Sequence, residues 1–437
     1  MDIGVFLPIG NNGWLISTTS PQFMPSFDLN RAVTEKAKKY GFEFALSMIK
    51  MRGFGGPSEY WDHNLESFTV MAGLAAVTTR IKLFASVAVL TIPPAVLALM
   101  AVTVDSISNV RFGVNIVSGW QKAEYEQMGS WPGEAYFSRR YEYCPEYVQV
   151  MKDLWAVGRS DFKGEYFKMT DCHVSPRPTR KIEVISAEQS ARGMRFAAEY
   201  ADYDFISAGG INDDSQVAAH TERLAEANAA AGAQCDAMLL MTIIADETDE
   251  AAMAKWNEYV EDTDLEALAW RDSQAAADVK AEAHSTVGRM VRFDRVPADM
   301  LRLIGSYATV AKHLDALAVI PGLRGLPMRY AVAREGYRAW CNGYGISSNC
   351  RDVDLAYEWI NYWASGFPGA RQSEIGYFST FDTYPEILSP ELQRSVYGGE
   401  GRDGGSLTDR ASKIHVWNTR PANLEYYTEK WNELVAA

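Results

Sequence analysis

What most constrains this chain is a regular alternation of short apolar runs with segments of helical period. The runs are Asp2–Ile9, Phe42–Lys50, Ile81–Leu90, Arg111–Val117, Lys181–Ala187, Tyr203–Ala208 and Ala237–Ala245. Between them lie Phe27–Tyr40, Glu66–Thr79, Ala95–Ser106, Phe137–Trp155, Ala191–Tyr200 and Val217–Ala231; in the first of these Leu29, Val33 and Ala37 fall on one helical face. The long loop MRGFGGPSEYWDHN separates the second strand from the second helix. Alternating β and α over most of a chain predicts a parallel sheet, and seven or eight repeats favour closure into a (β/α)8 TIM barrel. An open dinucleotide-binding sheet would need GxGxxG after its first strand, and none is there. Asp262–Arg295, charged and alanine-rich, reads as an inserted helical or mobile excursion. Met300–Val319 reads as helix interrupted at Gly305-Ser306-Tyr307.

Several function classes drop out. A chain of 437 residues is long enough for a large barrel plus an appendage. Its formal charge of −14, from 56 acidic and 42 basic residues, disfavours nucleic acid or an anionic membrane as partner and favours small-molecule chemistry. The five cysteines lack paired CxxC spacing, so neither a zinc site nor a disulfide framework is indicated. MDIGVFLPIG has no basic stretch before its apolar run; it suits a first strand and not a signal peptide, so a cytoplasmic protein is expected. Leu83–Val104 is uncharged and long enough to cross a bilayer, but Pro93-Pro94 divides it into a strand-like and a helix-like half.

In a barrel, chemistry sits at the C-terminal strand ends, here Ile49-Lys50, Asn115, Ser118-Gly119 and Ala187–Ser190. Ser106–Tyr143 joins one such end to a loop with Trp120, Glu124 and Trp131, and then to a helix start with Arg139, Arg140 and Tyr141. Lys50 could neutralise a phosphate or polarise a carbonyl, or simply be solvated. Ser190 opens a helix, where its hydroxyl and free N–H groups either hold a phosphate or only cap the helix. Arg140 and Tyr141 add a cation and a phenol for the same anion, against the plainer reading of a solvated face. His63 has no second His or Cys at ligand spacing, so no metal is expected, and no GxSxG elbow or P-loop is present. Phosphate anchors, amides and aromatics without a nucleophile dyad suit a bound organic cofactor, and no catalytic residue stands out.

The segments IGVFLPIGNNGWLIS, FALSMIKMRGFGG, WDHNLESFTVMAGLAAVT, RFGVNIVSGWQKAEYEQMG, YFSRRYEY and DLWAVGRSDFKGEYF carry a resemblance. Through them residues 1–326 resemble the bacterial luciferase-like, flavin-dependent monooxygenases, and among these the pyrimidine monooxygenases that open the uracil ring. Relatives acting on sulfonates, nitrilotriacetate or thiophenes share the barrel but not PIGNNGWLIS. The resemblance implies a barrel that binds reduced FMN, uses O2 as co-substrate, oxygenates uracil or thymine, and takes electrons from NADH through a separate flavin reductase; a homo-oligomer is compatible with it. The family's FMN contacts fall on Ile49, Lys50, Asn115, Glu124, Arg140, Tyr141 and Ser190. Of these, Arg140, Tyr141 and Ser190 suit the ribityl phosphate, and Asn115 and Glu124 the sugar chain or ring edge. A luciferase-like monooxygenase with another small substrate is the alternative enzyme.

Two departures stand out. Asn109-Val110 replaces the family's Gly-Gly, and Ala187-Glu188-Gln189-Ser190 replaces Ala-Gly-Gln-Ser. Glu188 beside a phosphate site is expected to weaken FMN binding, so Glu188→Gly should tighten it. From about 327 to 437 the chain changes character. EGYRAWCNGYGIS, NCRDVDLAYEWINYW and KIHVWNTRP resemble the C-terminal end of a periplasmic polyamine-type solute-binding protein, with Asn342 where that family places an acidic residue. A non-enzymatic solute-binding or inert fusion is therefore the reading from another class. The junction also interrupts the barrel pattern, so an altered eighth repeat is expected, with MRYAVA standing in for the last strand and Asp352–Ser365 for its helix.

Overall fold

Strand and helix alternate as expected in the computed structural model, which describes residues 1–187, 189–282, 285–290, 300–330, 338–339 and 415–416. The elements are β1 (Asp2–Leu7), α1 (Phe27–Lys39), β2 (Phe44–Ser47), α2 (Ser67–Val77), β3 (Lys82–Ala88), α3 (Pro94–Ser108), β4 (Phe112–Val117), α4 (Lys122–Glu126), α5 (Tyr136–Val157), the short pair β5 (Arg159–Ser160) and β6 (Cys172–His173), β7 (Glu183–Ser186), α6 (Ala191–Tyr200), β8 (Tyr203–Ser207), α7 (Ser215–Ala231), β9 (Asp236–Asp246), α8 (Asp249–Glu261), α9 (Leu265–Ala276), α10 (Thr286–Met290), β10 (Leu301–Ser306), α11 (Tyr307–Ala318) and β11 (Leu323–Tyr330). Strands β1, β2, β3, β4, β7, β8, β9 and β11 pair in that order, all parallel, and β11 returns to β1 to close an eight-stranded barrel.

Two expectations need correction. The strand of the eighth repeat is in place, earlier in the chain than expected. It begins at Leu323, inside the segment read as preceding it, with Gly325 opposite Asp2 of β1 and Arg329 opposite Thr242 of β9. Both edges of the barrel's seam are thereby hydrogen-bonded. Of MRYAVA, Met328–Tyr330 belongs to the strand; the remainder, and Asp352–Ser365, lie outside the described residues. Met300–Val319 is not one interrupted helix either. Leu301–Ser306 is a strand annealed to the upper half of β9, where the Asn212 side chain imitates a strand partner: it accepts from Ile304 N at 2.8 Å and donates to Ile304 O at 2.7 Å. Ser306 then caps α11 by accepting from Thr309 N. An apolar run that is fully buried has no periodicity to separate strand from helix, which is why LRLIG misleads.

Where it is described, the excursion supplies α9 and α10, with a turn at Asp278–Ala281 after α9. Pro145 lies inside α5, which continues through it. Leu83–Val104 divides at its prolines into β3 and α3, and among the described residues no helix is long and apolar enough to cross a membrane. Cys172 and Cys235 are free thiols. Inside the barrel, glycines make room for rings: a methyl group at Gly4 would lie 2.2 Å from the Phe44 ring, and one at Gly113 2.3 Å from the Phe84 ring. Those two rings meet edge-to-face at 6.0 Å, filling the floor beneath the site.

Asn109 and Val110, the pair standing where two glycines were expected, have φ of 56° and 61°. Asn109 closes α3 in the left-handed conformation, which asparagine tolerates; a β-branched valine there is strained by roughly 1–2 kcal/mol. Val110→Gly should therefore raise stability by about 1 kcal/mol, seen as a higher urea midpoint at unchanged slope.

The chain divides into two compact units, Met1–Val332 and Ala333–Ala437. In the second, Arg338–Ala339 pairs in parallel with His415–Val416. The segments that resemble a solute-binding protein otherwise lie outside the described residues.

Candidate active site

The loops after the strands enclose one cavity of about 320 Å³ at the C-terminal end of the barrel. Ile49, Lys50, Asn115, Glu124, Arg140 and Tyr141 all line it, on β2's exit, β4, α4 and α5. Ser190 is not among the lining residues, although its neighbours Ala187 and Gln189 are. The Ser190 hydroxyl instead caps α6, accepting from Gly193 N at 3.0 Å. Glu188 lies outside the described residues.

Lys50 leaves β2 and points inward, and it is buried. Its Nζ donates to Gln121 Oε1 at 2.5 Å and lies 3.3 Å from Glu124 Oε2. The rings of Phe54, Trp120 and Trp61 lie 4.9, 5.5 and 6.0 Å from it. Burial pulls its pKa below the ordinary lysine value, and the Glu124 carboxylate pushes back. Glu124 is equally enclosed; its other oxygen accepts from Met51 N at 2.5 Å. The turn that delivers Glu124 depends on Gly119, whose φ of +81° brings the chain so close to the Tyr125 ring that a methyl group would lie 2.8 Å from it. Lys50 is thus no solvated strand-end lysine but half of a buried pair. Gln121 was missed in the sequence because a lone glutamine in a loop carries no spacing signal.

Asn115 projects from β4 beside Ser86. The Ser86 hydroxyl donates to Ser47 O at 2.5 Å, so Asn115 Nδ2 must be the donor in its 2.7 Å bond to Ser86 Oγ. That fixes the amide: Oδ1 is the free end, buried and without a hydrogen-bond partner among the described residues. An orphaned acceptor in a cavity wall costs about 1–3 kcal/mol unless a ligand donor meets it. Asn115→Leu removes the orphan, so the empty protein should keep its stability within about 1 kcal/mol, whereas flavin affinity should fall roughly 10–100-fold. Thermal unfolding and a fluorescence titration separate the two effects.

Arg140, near the start of α5, is buried, ion-paired at 2.9 Å with Asp278, and lies 5.3 Å from the Tyr141 ring. Asp278 follows α9, so the excursion reaches into the site; Arg271, Ser285, Val287 and Met290 from it also line the cavity. The GNNGW stretch sits opposite. Asn11 and Asn12 do not reach the cavity; they tie their loop to the one after β2 through Glu59 O and Ser58 O. Trp14 does reach it, edge-on to Trp61 at 5.8 Å. His63 is exposed at 3.5 Å from Glu59, away from the cavity lining.

A buried arginine–aspartate pair, a buried amide acceptor, a lysine–carboxylate pair and a ring of indoles and phenyls make a slot for a flat, polar molecule. The model of the luciferase-like monooxygenase family matches residues 1–323. The pyrimidine monooxygenase RutA of Bradyrhizobium sp. is 58% identical over 331 residues, spanning 76% of this chain and 92% of that protein. RutA of Enterobacter cloacae is 56% identical, with 76% and 91% covered, and RutA of Stutzerimonas stutzeri 54% identical, with 78% and 94% covered. Among solved structures, riboflavin lyase RcaE superposes with a TM-score of 0.65 at 15% identity, covering 95% of this chain and 99% of that one. DmoA from Hyphomicrobium sulfonivorans gives 0.63 at 18%, covering 92% and 93%; both likenesses concern the fold. The barrel, its cavity and these matches agree, and the chain belongs to the luciferase-like monooxygenase family.

Proposed function

We infer that this protein is a flavin-dependent monooxygenase that opens the ring of uracil or thymine. The observation that carries this reading is the 54–58% identity to pyrimidine monooxygenases across the whole barrel. The cavity fits a flavin: Asn115 presents an unmet acceptor, Arg140 a buried cation, and the aromatic walls match a flat ring. Ile49, Lys50, Asn115, Glu124, Arg140 and Tyr141 would hold the flavin, with Ser190 behind them at the start of α6. The reduced flavin, when bound, supplies the two electrons with which one oxygen atom of O2 enters the pyrimidine and the other leaves as water. The protein's part is to hold both flat molecules in register, keep bulk water out with Trp14, Trp61 and Trp120, and fix the amide of Asn115. FMN as the flavin, reduction by a separate NADH-dependent reductase, a cytoplasmic location and a boundary near residue 326 between the catalytic part and a separate C-terminal module belong to the same proposal.

The test is anaerobic titration with reduced FMN, then admission of O2 and uracil, following the pyrimidine's ultraviolet absorbance. Saturable flavin binding with loss of that absorbance is expected. Flavin binding and oxidation with uracil untouched would point to another small substrate, and absence of flavin binding would overturn the reading altogether.

A further inference from the structure

The two groups best suited to a flavin phosphate are both met by carboxylates from one short stretch of the excursion. Arg140 Nη1 lies 2.9 Å from Asp278 Oδ2, with both side chains buried. The first N–H of α6, that of Ala191, donates to Glu282 Oε2 at 3.0 Å, although the residues are 91 positions apart. Asp278 and Glu282 stand on one continuous turn, in which Ala281 N bonds back to Asp278 O at 3.0 Å. A buried guanidinium and the N-terminus of a ten-residue helix are the two features that bind a phosphate dianion, by charge pairing and by free N–H groups at the positive end of the helix dipole. Here each already holds a carboxylate.

We propose that Asp278 and Glu282 are specificity-determining residues for the flavin: they occupy the phosphate subsite as surrogate anions and set how strongly it favours FMN over riboflavin. This rests on the reading of the cavity as a flavin site with its phosphate end at Arg140 and α6. A phosphate entering beside both carboxylates would bring three anionic groups together around one guanidinium and one helix end. Like charges at contact distance repel, most strongly at the buried Arg140–Asp278 end, so the carboxylates must yield their partners before the phosphate can be held. Riboflavin carries no phosphate and displaces neither. The two residues therefore subtract from FMN affinity and leave riboflavin affinity alone.

The experiment uses the full chain with Asp278→Asn, Glu282→Gln and both together, titrated separately with FMN and riboflavin by flavin fluorescence at fixed ionic strength. The double variant should bind FMN about tenfold or more tightly while riboflavin changes less than twofold. Because Glu282 is exposed, Glu282→Gln alone should fold normally and shift the FMN-to-riboflavin ratio in the same direction. A ratio that stays constant, or an FMN affinity that falls, overturns the proposal and makes the carboxylates scaffold for Arg140. Arg140→Met separates this failure from failure of the site reading. If it abolishes the preference for FMN while the carboxylate variants change nothing, only the proposal falls. If Arg140→Met leaves that preference intact, the phosphate is not held at Arg140 and both fall.

Discussion

Glu124→Gln should cost about 3–5 kcal/mol of stability at pH 7, the range for removing one partner of a buried ion pair. Lys50 and Glu124 have side chains only 5% exposed, 3.3 Å apart. The amide of glutamine can still accept from Met51 N, so the loss falls on the lysine, left as an ammonium among three aromatic rings without its counter-charge. The pH dependence gives the cause away. Burial already lowers Lys50's folded pKa, and Glu124 partly restores it; without Glu124 it drops further. A lysine whose folded pKa lies below its unfolded one binds fewer protons when folded, so stability rises with pH between the two values. The penalty is full below the folded pKa, or capped at about 5 kcal/mol at pH 7 by deprotonation, and it fades as pH approaches the unfolded value. Urea unfolding at pH 7 and pH 10 should show the gap between Glu124→Gln and the parent protein narrowing at the higher pH. Lys50→Met combined with Glu124→Gln should recover most of the loss, because neither charge is then stranded. A loss below about 1 kcal/mol, or one that does not change with pH, would show that the pair is solvated and not buried.

That pair also shows where the sequence was legible and where it was not. Lys50 and Glu124 could be named as site residues because strand ends and the loop beyond Val117 are recognisable, and because the resemblance runs through both. Their burial could not be read, since it comes from Phe54, Trp61 and Trp120 arriving from two loops. The alternation of strand and helix was legible through β9, where each unit is long enough to show its period. It failed at β10 and β11, where short apolar runs with glycine carry no period and pairing is decided by distant partners such as Asn212 and Asp2. Asp278 and Glu282 were invisible for a related reason: an alanine-rich, charged excursion looks the same whether its acids face solvent or Arg140. Asn109-Val110, by contrast, was a purely local departure, and its backbone strain lies at those two residues.

The glycine-rich loop after β2 shows the same limit and carries the second large effect. Gly53→Ala should destabilise the protein by about 3 kcal/mol and weaken flavin binding at least tenfold. The φ of Gly53 lies outside the left-handed region, so the effect is one of contact and not of backbone preference. An added methyl group would sit 2.2 Å from the Trp61 carbonyl carbon and 2.4 Å from Asp62 N, both of them backbone. The opposing chain cannot retreat cheaply. Phe54 N donates to Tyr60 O at 2.8 Å and Tyr60 N to Gly55 O at 3.0 Å, Trp61 Nε1 is fixed on Gly13 O at 2.8 Å, and Asn64 Nδ2 holds Trp61 O at 2.5 Å. Relief must therefore come from spreading the two arms of the loop, which carry Phe54 and Trp61, the rings that face Lys50. Stability and flavin affinity are thus expected to fall together, unlike Asn115→Leu, where affinity falls alone. Urea unfolding and a flavin titration on the same sample test this; a variant within about 0.5 kcal/mol of the parent, with unaltered flavin binding, would mean the loop accommodates the methyl group and does not fix the aromatic wall.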